Sequence, residues 1–200
     1  MATSLQEISA FLEEKNIKHE LKEDEGFIGF VFNTSRYRNT EGDTRITIII
    51  APEEEGEFLK VFAPKIYAYK DGPHALAVYQ LCLMINWRTK MLQLEYDASD
   101  GEIRAMIDFP LEDAKLTSRQ LHRAIHGLLE IIETFAPAFE AAINEGRIEL
   151  PEPPDQAVSD QLRALVEAVG RGGVDAETLQ AIVEEVRQRG GGGEVGPDRL

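Results

Sequence analysis

The chain has 200 residues and a formal charge of −15, with 21 Lys and Arg against 36 Asp and Glu, a length that accommodates one domain with a real core plus an appendage. Residues 1–150 carry 16 basic against 26 acidic side chains and residues 151–200 carry 5 against 10. Neither part is a basic platform, so nucleic acid and anionic lipid are not expected as partners, since both are bound by Lys and Arg on phosphates.

The opening Met1-Ala-Thr-Ser-Leu-Gln-Glu7 has no basic or apolar leader region, and no apolar run reaches membrane-spanning length; a soluble, cytoplasmic protein with no membrane partner is expected. A single cysteine, Cys82, excludes an internal disulfide and a multi-Cys metal site. Its neighbours Val78-Tyr-Gln-Leu-Cys-Leu-Met-Ile85 mark it as a small buried hydrophobe rather than a reactive thiol.

The first predicted helix starts at Ser4, where Glu7 completes a capping box and Leu5, Ile8 and Leu12 share one side. A short strand over residues 17–23 turns at Glu25-Gly26 into Phe27-Ile-Gly-Phe-Val-Phe32. Further strands are predicted over 44–51 and 58–63, separated by the acidic turn Pro52-Glu-Glu-Glu-Gly56. Ile46, Ile48 and Ile50 alternate with Thr47 and Ile49, a pattern that suits a strand covered on both faces. Asp71-Gly72-Pro73 opens a second helix with Pro73 near its first position, running to about Thr89. That helix is apolar nearly all round, through Leu76, Val78, Tyr79, Leu81, Leu83, Met84 and Ile85; such a helix is either deeply buried or shared with a partner.

Met91-Leu-Gln-Leu-Glu-Tyr-Asp97 and Glu102-Ile-Arg-Ala-Met-Ile-Asp-Phe109 flank Asp100-Gly101, a strong hairpin signal because Gly accepts the positive φ of a tight turn. A two-residue loop predicts Tyr96 opposite Ala105, Leu94 opposite Ile107 and Leu92 opposite Phe109 on an apolar face. It sets Asp97 opposite Arg104 and Glu95 opposite Met106 on a mostly polar one. The third helix is capped by Thr117 with Gln120 at the capping-box position and a Leu116–Leu121 staple. Its stripe runs Leu121, Ile125, Leu128, Ile132, Phe135, Phe139, Ile143, with Pro137 expected to bend or break it.

The predicted organisation is a first domain over 1–148, a stiff Pro-rich linker over 149–157, a helical hairpin over 158–189 and a disordered Gly-rich tail over 190–200. The hairpin would pair Val158, Leu162, Leu165, Val166 and Val169 with Leu179, Ile182, Val183 and Val186.

No constellation completes a reaction centre. His122 and His126 stand at i, i+4, but Arg123 occupies the position where a zinc protease needs Glu, and no third ligand is indicated. Asp97-x-Ser99-x-Gly101 opens like a calcium loop, yet Glu102 stands where such a loop needs Gly, and the hairpin accounts for the same residues. Glu95, Asp97, Asp108, Glu112 and Asp113 could supply a general acid and base, but they read as a solvated strand face. Phosphate-cradling and nucleophile-elbow glycine patterns are absent from the sequence. No catalytic residue, metal or cofactor is expected. Met84, Trp87, Met91 and Met106 are the candidate protein-interaction residues, because Met and Trp suit adaptable interfaces; ordinary packing is the alternative reading.

Met91-Leu-Gln-Leu-Glu-Tyr-Asp97, Asp100-Gly-Glu-Ile-Arg104, the exit Phe109-Pro-Leu-Glu-Asp-Ala114 and the capped helix after Leu116-Thr117 resemble the YbjN family over about residues 4–145. These are bacterial proteins described as sensory transduction regulators, with a fold like type III secretion chaperones. The resemblance implies an α+β fold, an antiparallel β-sheet with flanking helices in the order α-β-β-β-β-α-β-β-α. It supplies no catalytic residues. It implies a non-enzymatic regulatory or adaptor protein that binds a protein partner. The alternative is a homodimeric, client-holding chaperone, and a more distant one is a hydrolase using the acidic hairpin face.

Overall fold

In the computed structural model, which describes residues 3–151, the chain builds three α-helices and a six-stranded antiparallel sheet. The order is α1 (Leu5–Glu13), β1 (Glu20–Lys22), β2 (Phe27–Asn33), β3 (Arg45–Glu53), β4 (Phe58–Ala68), α2 (Ala75–Arg88), β5 (Gln93–Tyr96), β6 (Glu102–Pro110) and α3 (Ser118–Glu145). The strands line up as β1-β2-β3-β4-β6-β5. This is the expected α+β architecture; of the linker expected over 149–157 only residues 149–151 are described, and the helical hairpin and Gly-rich tail expected after it lie outside the described residues.

Both predicted capping boxes form. Ser4 Oγ accepts the Glu7 N–H at 3.2 Å and Thr117 Oγ1 accepts the Gln120 N–H at 3.2 Å, each reciprocated by the partner's side chain on the cap N–H. One face of the sheet carries Ile28, Phe30, Ile46, Ile48, Ile50, Leu59, Val61, Ile103, Ala105 and Ile107, all buried, and the helices pack against that face. On the other face Thr47 is exposed and Ile49 half-buried, so β3 is covered on one side rather than two. Period-2 alternation decides which isoleucines enter the core.

Three further sequence expectations are corrected. The β5–β6 hairpin pairs Leu94 with Ala105, Glu95 with Arg104 and Tyr96 with Ile103, two residues away from the expected register. The loop is four residues long: the Asp97 N–H donates to Glu102 O at 2.9 Å and the Gly101 N–H to Asp97 O at 2.8 Å. Asp97 Oδ1 holds the Ser99 N–H and Asp100 Oδ1 holds the Glu102 N–H, local bonds that favour the wider turn. An even shift keeps every side chain on its expected face, so the face assignment survives while the cross-strand ion pair becomes Glu95–Arg104, at 2.7 Å. Gly101 keeps its positive φ, at 82°, and packs its Cα against the Lys70 backbone, where a Cβ would collide.

The second correction is β4, which runs on to Ala68 through a register irregularity between Ala63 and Tyr67, with Lys65 at φ 48°. Pro64 marks the bulge and not the strand's end, as strand prolines do where the ladder is interrupted. The third concerns α3, which does not break at Pro137 but runs through it as one helix. Phe135, Ala136, Ala138 and Phe139 around the proline are all buried, so packing holds the turn that lost its N–H donor. Phe139 stacks on Tyr67 at 4.3 Å, and Tyr67 meets Tyr37 edge-on at 5.7 Å. The Tyr37 hydroxyl donates to Ile66 O at 2.8 Å, which anchors the long β2–β3 loop to the core.

Candidate protein-interaction surface

The second helix resolves the choice that its composition left open: it is half core and half bare. Val78, Leu81, Cys82 and Ile85 are buried, whereas Leu76 is 79% exposed, Leu83 69% and Trp87 90%. At about 100° per residue the spacings of seven and four put these three side chains within about 40° of one another, opposite the buried set. Exposed large apolar residues among the described ones also include Met91, between α2 and β5, Tyr96, at the end of β5, and Val31, on β2. Tyr79 ties the helix flank to the strand, its hydroxyl donating to the Tyr96 hydroxyl at 2.8 Å with the rings 4.5 Å apart.

The four residues expected from sequence are distributed unevenly. Trp87 and Met91 are exposed, and Met84 is half-buried on the flank of α2. Met106 lies on the helix-free face of the sheet, its Cα opposite Phe62 and Gln93, and is only 4% exposed. Leu76 and Leu83, which make the stripe continuous, were not singled out by sequence. Their spacing from Trp87 at i, i+7, i+11 was the available signal.

Both edges of the sheet are guarded. β1 is three residues long and carries a Glu20–Lys22 ion pair at 2.6 Å. Along β5, the Asn86 carboxamide accepts the Leu94 N–H at 2.8 Å and donates to the Leu94 O at 3.3 Å. Just before β5, the Thr89 hydroxyl lies 3.0 Å from the Ile85 O and 3.2 Å from the Leu92 O, and its one hydrogen is shared between them. Short, charged or covered edges are how sheets avoid unwanted strand pairing.

The acidic hairpin face forms an open groove lined by Glu95, Tyr96, Asp97, Ala98, Glu102 and Arg104. Its carboxylates are engaged locally. Glu95 pairs with Arg104, and the Ser99 side chain and backbone N–H hold Asp97 below the usual carboxylate range. His122 is buried, with Nδ1 on Ser118 O at 2.7 Å, whereas His126 is exposed, so the two rings do not converge. Burial pushes the Cys82 thiol up to about 12, far from a reactive thiolate. His19 meets Ser9 Oγ at 2.7 Å and Ile17 O at 2.9 Å.

The model of the YbjN family, described as "Putative bacterial sensory transduction regulator", matches residues 4–141. No curated protein matches the chain. Among solved structures, the crystal structure of YbjN from E. coli, described as "a putative transcription regulator", is 11% identical, with a TM-score of 0.49, covering 70% of this chain and 92% of that one. A chain of the HopA1-SchA chaperone-effector complex is 18% identical, with a TM-score of 0.45, covering 64% of this chain and 89% of that one.

Proposed function

The chain belongs to the YbjN family, and from that membership, together with the bare outer face of α2, we propose that it is a non-enzymatic regulator or adaptor that acts by binding another protein. The alignment of Leu76, Leu83 and Trp87 carries this reading, because a solvated stripe of one Trp and two Leu on a well-packed helix costs solubility and gives the fold nothing. Met91 and Tyr96 are exposed as well, and both are residue types enriched in interface cores.

The guarded edges of the sheet support a partner that brings its own folded apolar surface, such as the face of a helix, over an extended client added as a strand. This favours the adaptor over the client-holding chaperone. The test uses wild type, Leu83→Asp and Trp87→Asp as parallel baits for affinity capture, with sedimentation of each bait alone. A stoichiometric partner held by the wild type and lost from both variants, whose melting is unchanged, is the expected result. Equal capture by all three baits would overturn the reading, and a wild-type dimer that the variants dissolve would replace the foreign partner with a second copy.

A further inference from the structure

α2 differs in charge from the rest of the chain. Between Asp71 and Glu95 no Asp or Glu occurs, the longest such interval in a sequence of net charge −15. The interval contains α2 and two exposed cations, Arg88 in its last turn and Lys90 just beyond it. Neither forms an ion pair among the described residues. Arg88 Nη1 donates to Pro151 O at 3.2 Å, and a guanidinium has further donors to offer a partner. The carboxylates nearest along the chain are engaged elsewhere. Glu95 on β5 pairs with Arg104, and Glu149, two residues before Pro151, pairs with Arg147.

The apolar stripe and these cations are ordered along the helix. Leu76, Leu83 and Trp87 span three turns, about 16 Å at about 1.5 Å per residue, and both cations lie at the Trp87 end. A complementary helix therefore lays apolar side chains along the stripe and places carboxylates at one end only. Carboxylates are stabilised at the N-terminus of a helix, so that end is the partner's first turn and the partner runs antiparallel to α2. A basic helix would meet no carboxylate on α2.

Resting on the reading of this face as a protein-docking surface, we propose that its occupant is an amphipathic helix of another protein whose first turn is acidic. The helix lies antiparallel along Leu76, Leu83 and Trp87, with its carboxylates on Arg88 and Lys90. The apolar anchors supply adhesion, and the two cations set polarity and discrimination, as charges at an interface rim do.

Fluorescein-labelled peptides about four turns long test the inference by anisotropy with the full-length protein. At about 0.15 M salt a Debye length of about 8 Å screens the remote negative charge. One peptide carries a leucine stripe and a first turn of Glu, the second the same stripe with Lys in that turn, and the third the residues of the first with the leucines scattered. The Glu peptide should bind at least about fivefold more tightly than the Lys peptide, the scale of two exposed ion pairs, and the scattered peptide should not bind. This exchange is made in the peptide, so no folding defect can imitate it. In the protein, Arg88→Glu combined with Lys90→Glu should invert the preference, and Leu83→Asp should remove both peptides. Equal binding of the Glu and Lys peptides, or a preference for Lys, would overturn the acidic partner and leave the docking face standing if Leu83→Asp still removes both. Absence of Glu-peptide binding would also overturn the inference, and binding that Leu83→Asp leaves intact would overturn the docking face with it.

Discussion

Glu133 is the clearest case of one side chain fixing a distant loop, and its removal should be costly. From the middle of α3 its carboxylate accepts the N–H groups of Ser35, Arg36 and Tyr37 at 2.5, 2.7 and 3.2 Å, three consecutive donors that wrap the anion as a backbone nest does. Hydrogen bonds to a charged group contribute about 1.5–3 kcal/mol each where water is excluded. Here two of the three are exposed, and water can replace part of what is lost, so Glu133→Ala is expected to cost roughly 2–3 kcal/mol in total. For a domain of this size that is a fall of roughly 4–12 °C in Tm. Glu133→Gln, which keeps one acceptor but turns an NH2 toward the nest, should lie between.

The same carboxylate predicts a pH signature. Burial works to raise its pKa, but the three backbone donors and the Arg36 charge outweigh it and hold the group below the ordinary carboxylate value of 4.5. A depressed native pKa stabilises the fold above the unfolded pKa, and that stabilisation is lost as pH falls through the native one. Chemical denaturation of wild type and Glu133→Ala should therefore show a constant gap near neutrality that narrows below about pH 4.5. A gap under about 0.5 kcal/mol at pH 7, within the range of ordinary surface substitutions, or one that stays constant into acid, would refute the reasoning.

Gly101→Val should destabilise by about 2–3 kcal/mol, since a β-branched residue resists φ of 82° and its Cβ meets the Lys70 backbone; a melting temperature equal to the wild type would contradict this. Truncation after Pro151 should leave a folded domain by circular dichroism, because Ile148 and Leu150 pack on the core and Arg88 Nη1 donates to Pro151 O at 3.2 Å. Truncation after Gly146 should melt lower by several degrees, roughly 1–2 kcal/mol for the two lost apolar contacts, and identical melting of the two truncations would show that residues 147–151 contribute nothing.

What could be read from sequence was what local chemistry decides. Ser4 with Glu7 and Thr117 with Gln120 satisfy N–H donors within one turn, so the helix starts were visible without any knowledge of the rest of the fold. The faces of β5 and β6 followed from alternation, but the register did not, because Asp97 and Asp100 stabilise a four-residue loop that Asp100-Gly101 alone does not reveal. The extension of β4 past Pro64 was hidden by the bulge that accommodates it. Sequence showed α2 as apolar all round; only the placement of β5 and α3 beside it determined that Leu76, Leu83 and Trp87 stay bare. Glu133 and the loop it holds are 96 to 98 residues apart, and a Glu on a helix carries no mark of such a bond. Nothing in the sequence marks Asn86 as the partner of the Leu94 N–H and C=O, because that role requires the edge it faces.

The chain contains one tryptophan, and it is 90% exposed in the folded domain. An indole bathed in water emits at long wavelength whether or not the protein is folded, so intrinsic fluorescence should barely move through the unfolding transition. The same property turns Trp87 into a selective reporter of contact. Any partner that settles on the outer face of α2 moves the indole into an apolar setting and shifts its emission to the blue, with no background from other indoles in the chain.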